Sequence, residues 1–302
     1  MNAIPKVDTA QPDTQPSPFD GRELTIRPWP GGFGAEVRDV DLRQPFAGRI
    51  AQRIRDAFLS HHLIVVRDQQ LGRTRMGEFA MLFGELEGNV FRNPDGTTLD
   101  AIHEISNLDA GGRPAENPYL KSNYHWHTDK AYLPMPALLT MLHAIELPQS
   151  GGDTQFADMT RAYDALSDDD KRRIAGLRVV HSLEYMRAST GDRPPTGDER
   201  AAAPPVTHPL VRTHPQTGRK SLFLGMYCSH VVGMESGESR ALLDCLLAHA
   251  TQPRFVYTHH WQPGDLVFWD NRCLLHRAVA NYDMGKSRRV LQRLVVKGDA
   301  AP

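Results

Sequence analysis

Cysteine is scarce in this 302-residue chain. The three thiols, Cys228, Cys245 and Cys273, are odd in number and show no Cys-x-x-Cys spacing. That argues against a disulfide framework and a structural zinc site, and fits a reducing cytoplasm. An excess of charge is also missing. Lys and Arg number 35 against 36 Asp and Glu, a formal net charge of -1. A nucleic acid or an anionic membrane surface is therefore not expected as a partner. No run of about 18 apolar residues occurs, which excludes a membrane-spanning helix. The start, MNAIPKVDTAQPDTQPSPFDG, has no apolar stretch of the kind a secretory signal needs. Its Pro, Asp, Gln and Thr content predicts a disordered tail over residues 1–21, with one domain over 22–302. No G-x-G-x-x-G or Walker loop appears, so a Rossmann domain is disfavoured. What the chain does have is 40% hydrophobic residues, enough for a sizeable core, and fourteen histidines.

Periodicity predicts strands at both ends and helices between them. ELTIRPWPG and GAEVRDVDL read as short strands around a Pro-Gly turn. Ile50, Ile54 and Phe58 recur every four residues, an amphipathic helix over 47–62. LIVVRD, from Leu63, reads as a buried strand, and a second helix is expected from Thr74 to Phe83, stopped by Gly84. Residues 85–125 are irregular. Prolines on both sides favour a strand for LLTMLHAIEL, from Leu138. RAYDAL reads as a helix, and Ser167 with Asp170 opens another. RVVHSLEY reads as a strand, and 186–207 as the least ordered interior stretch. HPLVRTH, SLFLGM, RFVYTHHW, LVFWD, CLLHRAV and RRVLQRLVV are expected strands, interrupted by a helix from Glu238 to Thr251. The fold class is mainly β with helical insertions: a β-sandwich closing as a double-stranded β-helix, or jelly roll.

The segment YHWHTDKAY carries the sharpest chemistry. On a strand, His127 and Asp129 project from the same face, two residues apart. An imidazole and a carboxylate there supply two of the three ligands of a 2-His-1-carboxylate iron site, the third coming from a distant strand. His-x-Asp alone is a common pair and also suits a surface hydrogen bond. His125 shares that face, as a group behind the ligands or as an exposed side chain.

The segment WQPGDLVFWDNRCLLHRAVANYDMGKSRRVLQR adds to this. Here the chain resembles the iron(II)- and 2-oxoglutarate-dependent dioxygenases of the taurine dioxygenase and 2,4-dichlorophenoxyacetate dioxygenase family. His276 follows His127 by 149 residues, and Arg289 follows His276 by 13. Trp269-Asp270-Asn271-Arg272, the GGDT stretch ending at Thr154, and HPLVRTHPQTGRKSLFLG from His208 extend the likeness from about Leu24 to Val296. The resemblance implies Fe(II) on His127, Asp129 and His276, with O2 as oxidant. It implies 2-oxoglutarate held by Arg289 and Thr154 and converted to succinate and CO2. A slip of one residue would give that role to Arg288. The retained Asp129 implies oxygenation, because related halogenases carry a small residue there.

The resemblance also implies a substrate site. Arg293, four residues beyond Arg289, stands where the taurine enzyme holds a sulfonate. A buried guanidinium without a carboxylate partner would favour an anion. Asn123 matches an Asn of that enzyme, but Asn89 and Arg92 stand where it has His and Tyr. The phenoxyacetate enzymes match better and carry Lys in place of Arg92. Arg92 and Arg113 fall in the irregular segment and could meet a carboxylate. The expected substrate is a small anionic organic acid, aryloxyalkanoate-like. Alternatives are a taurine, alkylsulfonate or alkyl-sulfate dioxygenase, and, in a different class, a metal-free small-molecule binding protein on the same fold. A nucleic-acid demethylase on this fold would need a basic excess that is absent. A homo-oligomer, dimer or tetramer, is expected.

Overall fold

Strand alternation sorts the side chains of this protein into layers. The computed structural model describes residues 24–45, 48–88, 100–115 and 121–302. The expected tail, Asn89 and Arg92 lie outside the described residues. The chain begins with strands β1 (Thr25–Pro28) and β2 (Ala35–Arg38), helix α1 (Gly48–His61), strand β3 (Leu63–Val66), helix α2 (Arg73–Ala80) and strand β4 (His103–Ser106). Strands β5 (Leu139–Glu146) and β6 (Thr154–Asp158) follow, then helices α3 (Met159–Asp164) and α4 (Asp168–Ile174) and strand β7 (Arg178–His181). Next come α5 (Leu183–Thr190), α6 (Gly197–Ala202), β8 (Val206–Pro209), β9 (Val211–Thr213), β10 (Lys220–Leu222) and β11 (Cys228–Val231). Helix α7 (Ser236–Ala250) and strands β12 (Val256–His259), β13 (Leu266–Asp270), β14 (Leu274–Ala278) and β15 (Val290–Val296) complete the fold.

Seven strands form the larger sheet, in the order β1-β2-β3-β13-β5-β15-β4. All its pairs are antiparallel except β2 with β3. Ile64, Val66, Leu139, Met141, Leu266, Phe268, Leu294 and Val296 face outward and bury against Ile54 and Phe58 of α1 and Met76 and Phe79 of α2. The intervening residues Leu63, Val65, Leu142, Ala144, Val267, Trp269 and Leu291 face inward. They pack on Phe156 and Leu274 of the smaller sheet, β12-β6-β14. Behind that sheet, Ala157 and Leu275 bury with Met159 and Ala162 of α3 and Leu242, Leu243 and Leu246 of α7. Helix, sheet, sheet and helix thus make up the jelly-roll architecture. The period of two places Thr140, Arg289 and Arg293 with the inward set, between the sheets.

Three expectations need correction. His127 and Asp129 are not on a strand. The segment is a loop whose only ladder contact among the described residues is the bridge between His127 and His276, and Lys130 has φ of +56°. Residues 186–207, expected to be the least ordered, hold the end of α5 and all of α6. Similarly, RVVHSLEY is half strand: Ser182 caps α5 by accepting from the Tyr185 amide, so the strand ends at His181.

Candidate active site

The loop and strand β14 are tied by two reciprocal backbone bonds, His127 N–H to the His276 carbonyl (3.0 Å) and His276 N–H to the His127 carbonyl (2.7 Å). This sets the two imidazoles face to tilted face, with ring centroids 4.1 Å apart. Asp129 follows, with Oδ2 3.6 Å from His276 Nε2. One donor atom from each of the three residues lies within 4.8 Å of the others, and all three are buried. Burial lowers the pKa of both histidines, so both stay neutral and able to bind a cation. Burial alone would raise the pKa of Asp129. The Arg293 guanidinium, aided by a Thr140 hydrogen bond, more than offsets this and holds it well below the usual carboxylate range.

The three residues fit a metal ion. His127 Nδ1 lies 2.7 Å from the His125 carbonyl, which can only accept; Nδ1 therefore carries the proton and leaves the Nε2 lone pair free. His125 itself is exposed and acts through its backbone alone. Buried His276 Nδ1 has no hydrogen-bond partner among the described residues. Two neutral imidazoles and one ionised carboxylate are the donor set of a non-haem iron site with open positions. A second buried group, His62, His214, Asp270 and Cys273, also brings donor atoms within that distance. Its carboxylate is already saturated. Asp270 accepts from Arg272 N, Nε and Nη2 and from His214 Nε2, all at 2.7–2.9 Å. It locks the turn that carries Asn271 and does not fit an ion, since the Arg272 charge sits on it.

Arg288 and Arg289 are separated by strand parity. Arg288 is 43% exposed and pairs with Glu146 on the surface. Arg289 is 9% exposed; Nε donates to the Gly152 carbonyl (2.9 Å). Its terminal nitrogens have no partner among the described residues. Gly152 is required there: its φ is +70°, and a Cβ would lie 3.0 Å from Arg289 Cδ and Nε. Burial draws the Arg289 pKa down, against the half-buried phenols of Tyr282 and Tyr124 and the carboxylate of Asp153. Thr154, two residues beyond Gly152, accepts from Trp261 Nε1 (3.1 Å) and keeps its own proton to donate. A buried guanidinium fork with terminal N–H groups to spare is able to take a carboxylate.

Arg293 departs from expectation. It does have a carboxylate partner: Nη2 donates to Asp129 Oδ1 at 2.7 Å. Lys130, buried next to it, reaches the Gly88 carbonyl (2.7 Å) and Glu87 (3.6 Å), and burial lowers its pKa to about 8. Asn123 is half-buried in the 3-10 turn Lys121–Tyr124 that leads into the loop. Arg113 is exposed in the tight turn from Asp109 to Arg113 and is not brought to the site. Sequence reasoning missed Thr140 and the role of Asn271. Only the position of β5 inside the sheet puts Thr140 beside Asp129.

The model of the family described as "Taurine catabolism dioxygenase TauD, TfdA family" matches residues 25–295. The chain belongs to that family. It is 41% identical over 276 residues to an alpha-ketoglutarate-dependent 2,4-dichlorophenoxyacetate dioxygenase of Cupriavidus pinatubonensis, covering 89% of this chain and 96% of that protein. It is 38% identical over 289 residues to an (S)-phenoxypropionate/alpha-ketoglutarate-dioxygenase of Sphingobium herbicidovorans, covering 91% and 96%. A solved structure, AAD-2 in complex with Mn(II) and N-oxalylglycine, superimposes with a TM-score of 0.83 at 36% identity, covering 93% of this chain and 98% of that one. The protein is accordingly a 2-oxoglutarate-dependent dioxygenase, an oxidoreductase that uses Fe(II), 2-oxoglutarate and O2. No helix among its described residues is long and apolar enough to cross a membrane.

Proposed function

We propose that this dioxygenase hydroxylates a small anionic organic acid of the aryloxyalkanoate class. His127, Asp129 and His276 hold Fe(II) in this reading. Arg289 and Thr154 hold the distal carboxylate of 2-oxoglutarate, and Arg293, with Asn123 at the rim, receives the substrate. The iron, when bound, supplies the activation of O2, one oxygen atom of which enters succinate and the other the substrate C–H bond. The protein's own residues supply orientation, charge and the exclusion of water.

The observation that carries the anionic substrate is the charge of the buried site. A divalent cation cancels the dianionic co-substrate, and Asp129 cancels one of the two guanidiniums, Arg289 and Arg293. Lys130 is balanced by Glu87. Asp153 faces Arg289, so the cationic side chains beside the metal cluster, Arg293 and Lys130, are the groups that can receive an anion. A carboxylate would pair with them as a fork partner. The relatives named above act on aryloxy acids. Hydroxylation next to their ether oxygen gives a hemiacetal, which collapses to a phenol and a carbonyl acid.

A panel of aryloxyalkanoates, alkyl sulfates and sulfonates, followed by oxygen uptake and succinate formation, tests this. Phenol release from an aryloxyalkanoate is the expected result. Sulfate or sulfite release with an aldehyde, and no phenol, overturns the choice of substrate class. Absence of succinate with every acid would support a binding protein instead. We further infer a reducing, cytoplasmic setting, supported by three free thiols, and a dimer or tetramer, which sedimentation would measure.

A further inference from the structure

Asp129 is held by more than its neighbouring charges. Asn271 Oδ1 faces donors that cannot accept, Trp269 Nε1–H (3.1 Å) and the Asp129 N–H (3.3 Å), with the Thr128 hydroxyl also at 3.2 Å. The amide is therefore fixed in one orientation, and Nδ2 must point the other way, where it donates to Thr140 Oγ1 at 2.9 Å. Once Thr140 Oγ1 accepts that bond, its single proton is directed to Asp129 Oδ2, 2.5 Å away. Thr140 is fully buried on the inner face of β5, opposite Trp269 of β13. The relay runs from the Trp269–Arg272 turn through Asn271 and Thr140 to one carboxylate oxygen, while Arg293 takes the other. Both oxygens are tethered, so the carboxylate cannot swing about its Cβ–Cγ bond.

We propose that Thr140 is a positioning residue for the metal site, set by Asn271: it presents Asp129 as a ligand in one orientation and keeps it from chelating with both oxygens. This leaves the coordination positions that 2-oxoglutarate and O2 need. The proposal rests on the reading of Asp129 as a metal ligand, and the experiment separates the two. Ligand partners of this kind contribute about 10- to 100-fold to metal affinity. Neighbouring β13 and β15 hold β5 on both sides, so removing one hydroxyl leaves the sheet intact.

The test is titration of the full-length, metal-free protein with Mn(II), reading free Mn(II) by electron paramagnetic resonance. Wild type, Asp129→Ala, Thr140→Ala, Thr140→Val and Thr140→Ser are compared, with melting temperatures of the metal-free forms. Thr140→Ala and Thr140→Val are expected to raise the Mn(II) Kd about tenfold or more, with Thr140→Ser restoring it and metal-free melting changing far less than affinity. Unchanged affinity in Thr140→Ala, alongside loss in Asp129→Ala, overturns the positioning role and leaves the ligand reading intact. Equal weakening in Thr140→Ser and Thr140→Ala also overturns it, since a hydroxyl then gives no rescue. Unchanged affinity in Asp129→Ala overturns both.

Discussion

Arg288 and Arg289 are neighbours in sequence but occupy different media, and their consequences differ accordingly. Arg289 sits between the sheets, its terminal nitrogens without a partner among the described residues, whereas Arg288 pairs with Glu146 at the surface. Arg289→Lys keeps the charge but loses the fork, so the KM for 2-oxoglutarate should rise about 10- to 100-fold, the cost of one or two charge-assisted bonds. Arg288→Lys should leave it within about twofold, because its ion pair is exposed. Steady-state kinetics at saturating substrate measure both, and the reverse ranking would move the carboxylate site. At this scale much was legible. A His-x-Asp pair, a distal His and an Arg spaced beyond it are local patterns that survive in one dimension. Thr140 was not legible, since a threonine in a strand is ordinary until the neighbouring strands are known. Nor was the ion pair of Arg293 with Asp129, which spans 164 residues.

At the scale of elements, apolar alternation and four-residue spacing located most strands and helices because burial alone decides them. Where a cap or a turn decides, the reading failed. The stretch Asp192–Thr196 contains two prolines and a glycine follows, which suggested irregular chain. In fact Thr196 and Glu199 form a reciprocal capping box: Thr196 Oγ1 accepts from the Glu199 amide (3.2 Å), and Glu199 Oε2 accepts from the Thr196 amide (2.8 Å). Glu199 is also paired with Arg193, which fastens the chain before the helix. Thr196→Ala should destabilise the protein by about 1 kcal/mol, read as a lower urea midpoint with an unchanged slope. A change within error would mean that packing, not the cap, holds α6. The His-x-Asp loop failed for a related reason. A two-residue period predicts a strand, while the left-handed Lys130 and the His127–His276 bridge achieve the same convergence.

For the whole molecule, buried histidines set the response to acid. His181 is 1% exposed, stacked on Phe223, and its pKa is lowered to about 3 by burial and by the nearby charges of His208 and Arg212. In the unfolded chain the same imidazole titrates near 6.5. Between those values the unfolded state binds more protons, so stability falls as pH drops from about 6.5 toward 3, by a few kcal/mol at most. The depressed Asp129 and Asp270 act in the same direction below about pH 4. The melting temperature should therefore fall steadily below pH 6.5, and His181→Gln should flatten that fall. Parallel curves for the two proteins would assign the acid sensitivity elsewhere. The near-neutral composition gave no hint of this; it concealed which charges are paired inside and which imidazoles are kept neutral.

The reciprocal bonds between His127 and His276 have a consequence for how the ion arrives. They close a loop of 149 residues by backbone alone. The entropy of bringing the two proposed ligands together is thus lost when the sheets assemble, before any metal is present. Metal binding then has only side-chain motion and desolvation to overcome. On the proposal that these residues hold the ion, its removal is expected to abolish turnover while the melting temperature of the metal-free protein stays near that of the loaded one.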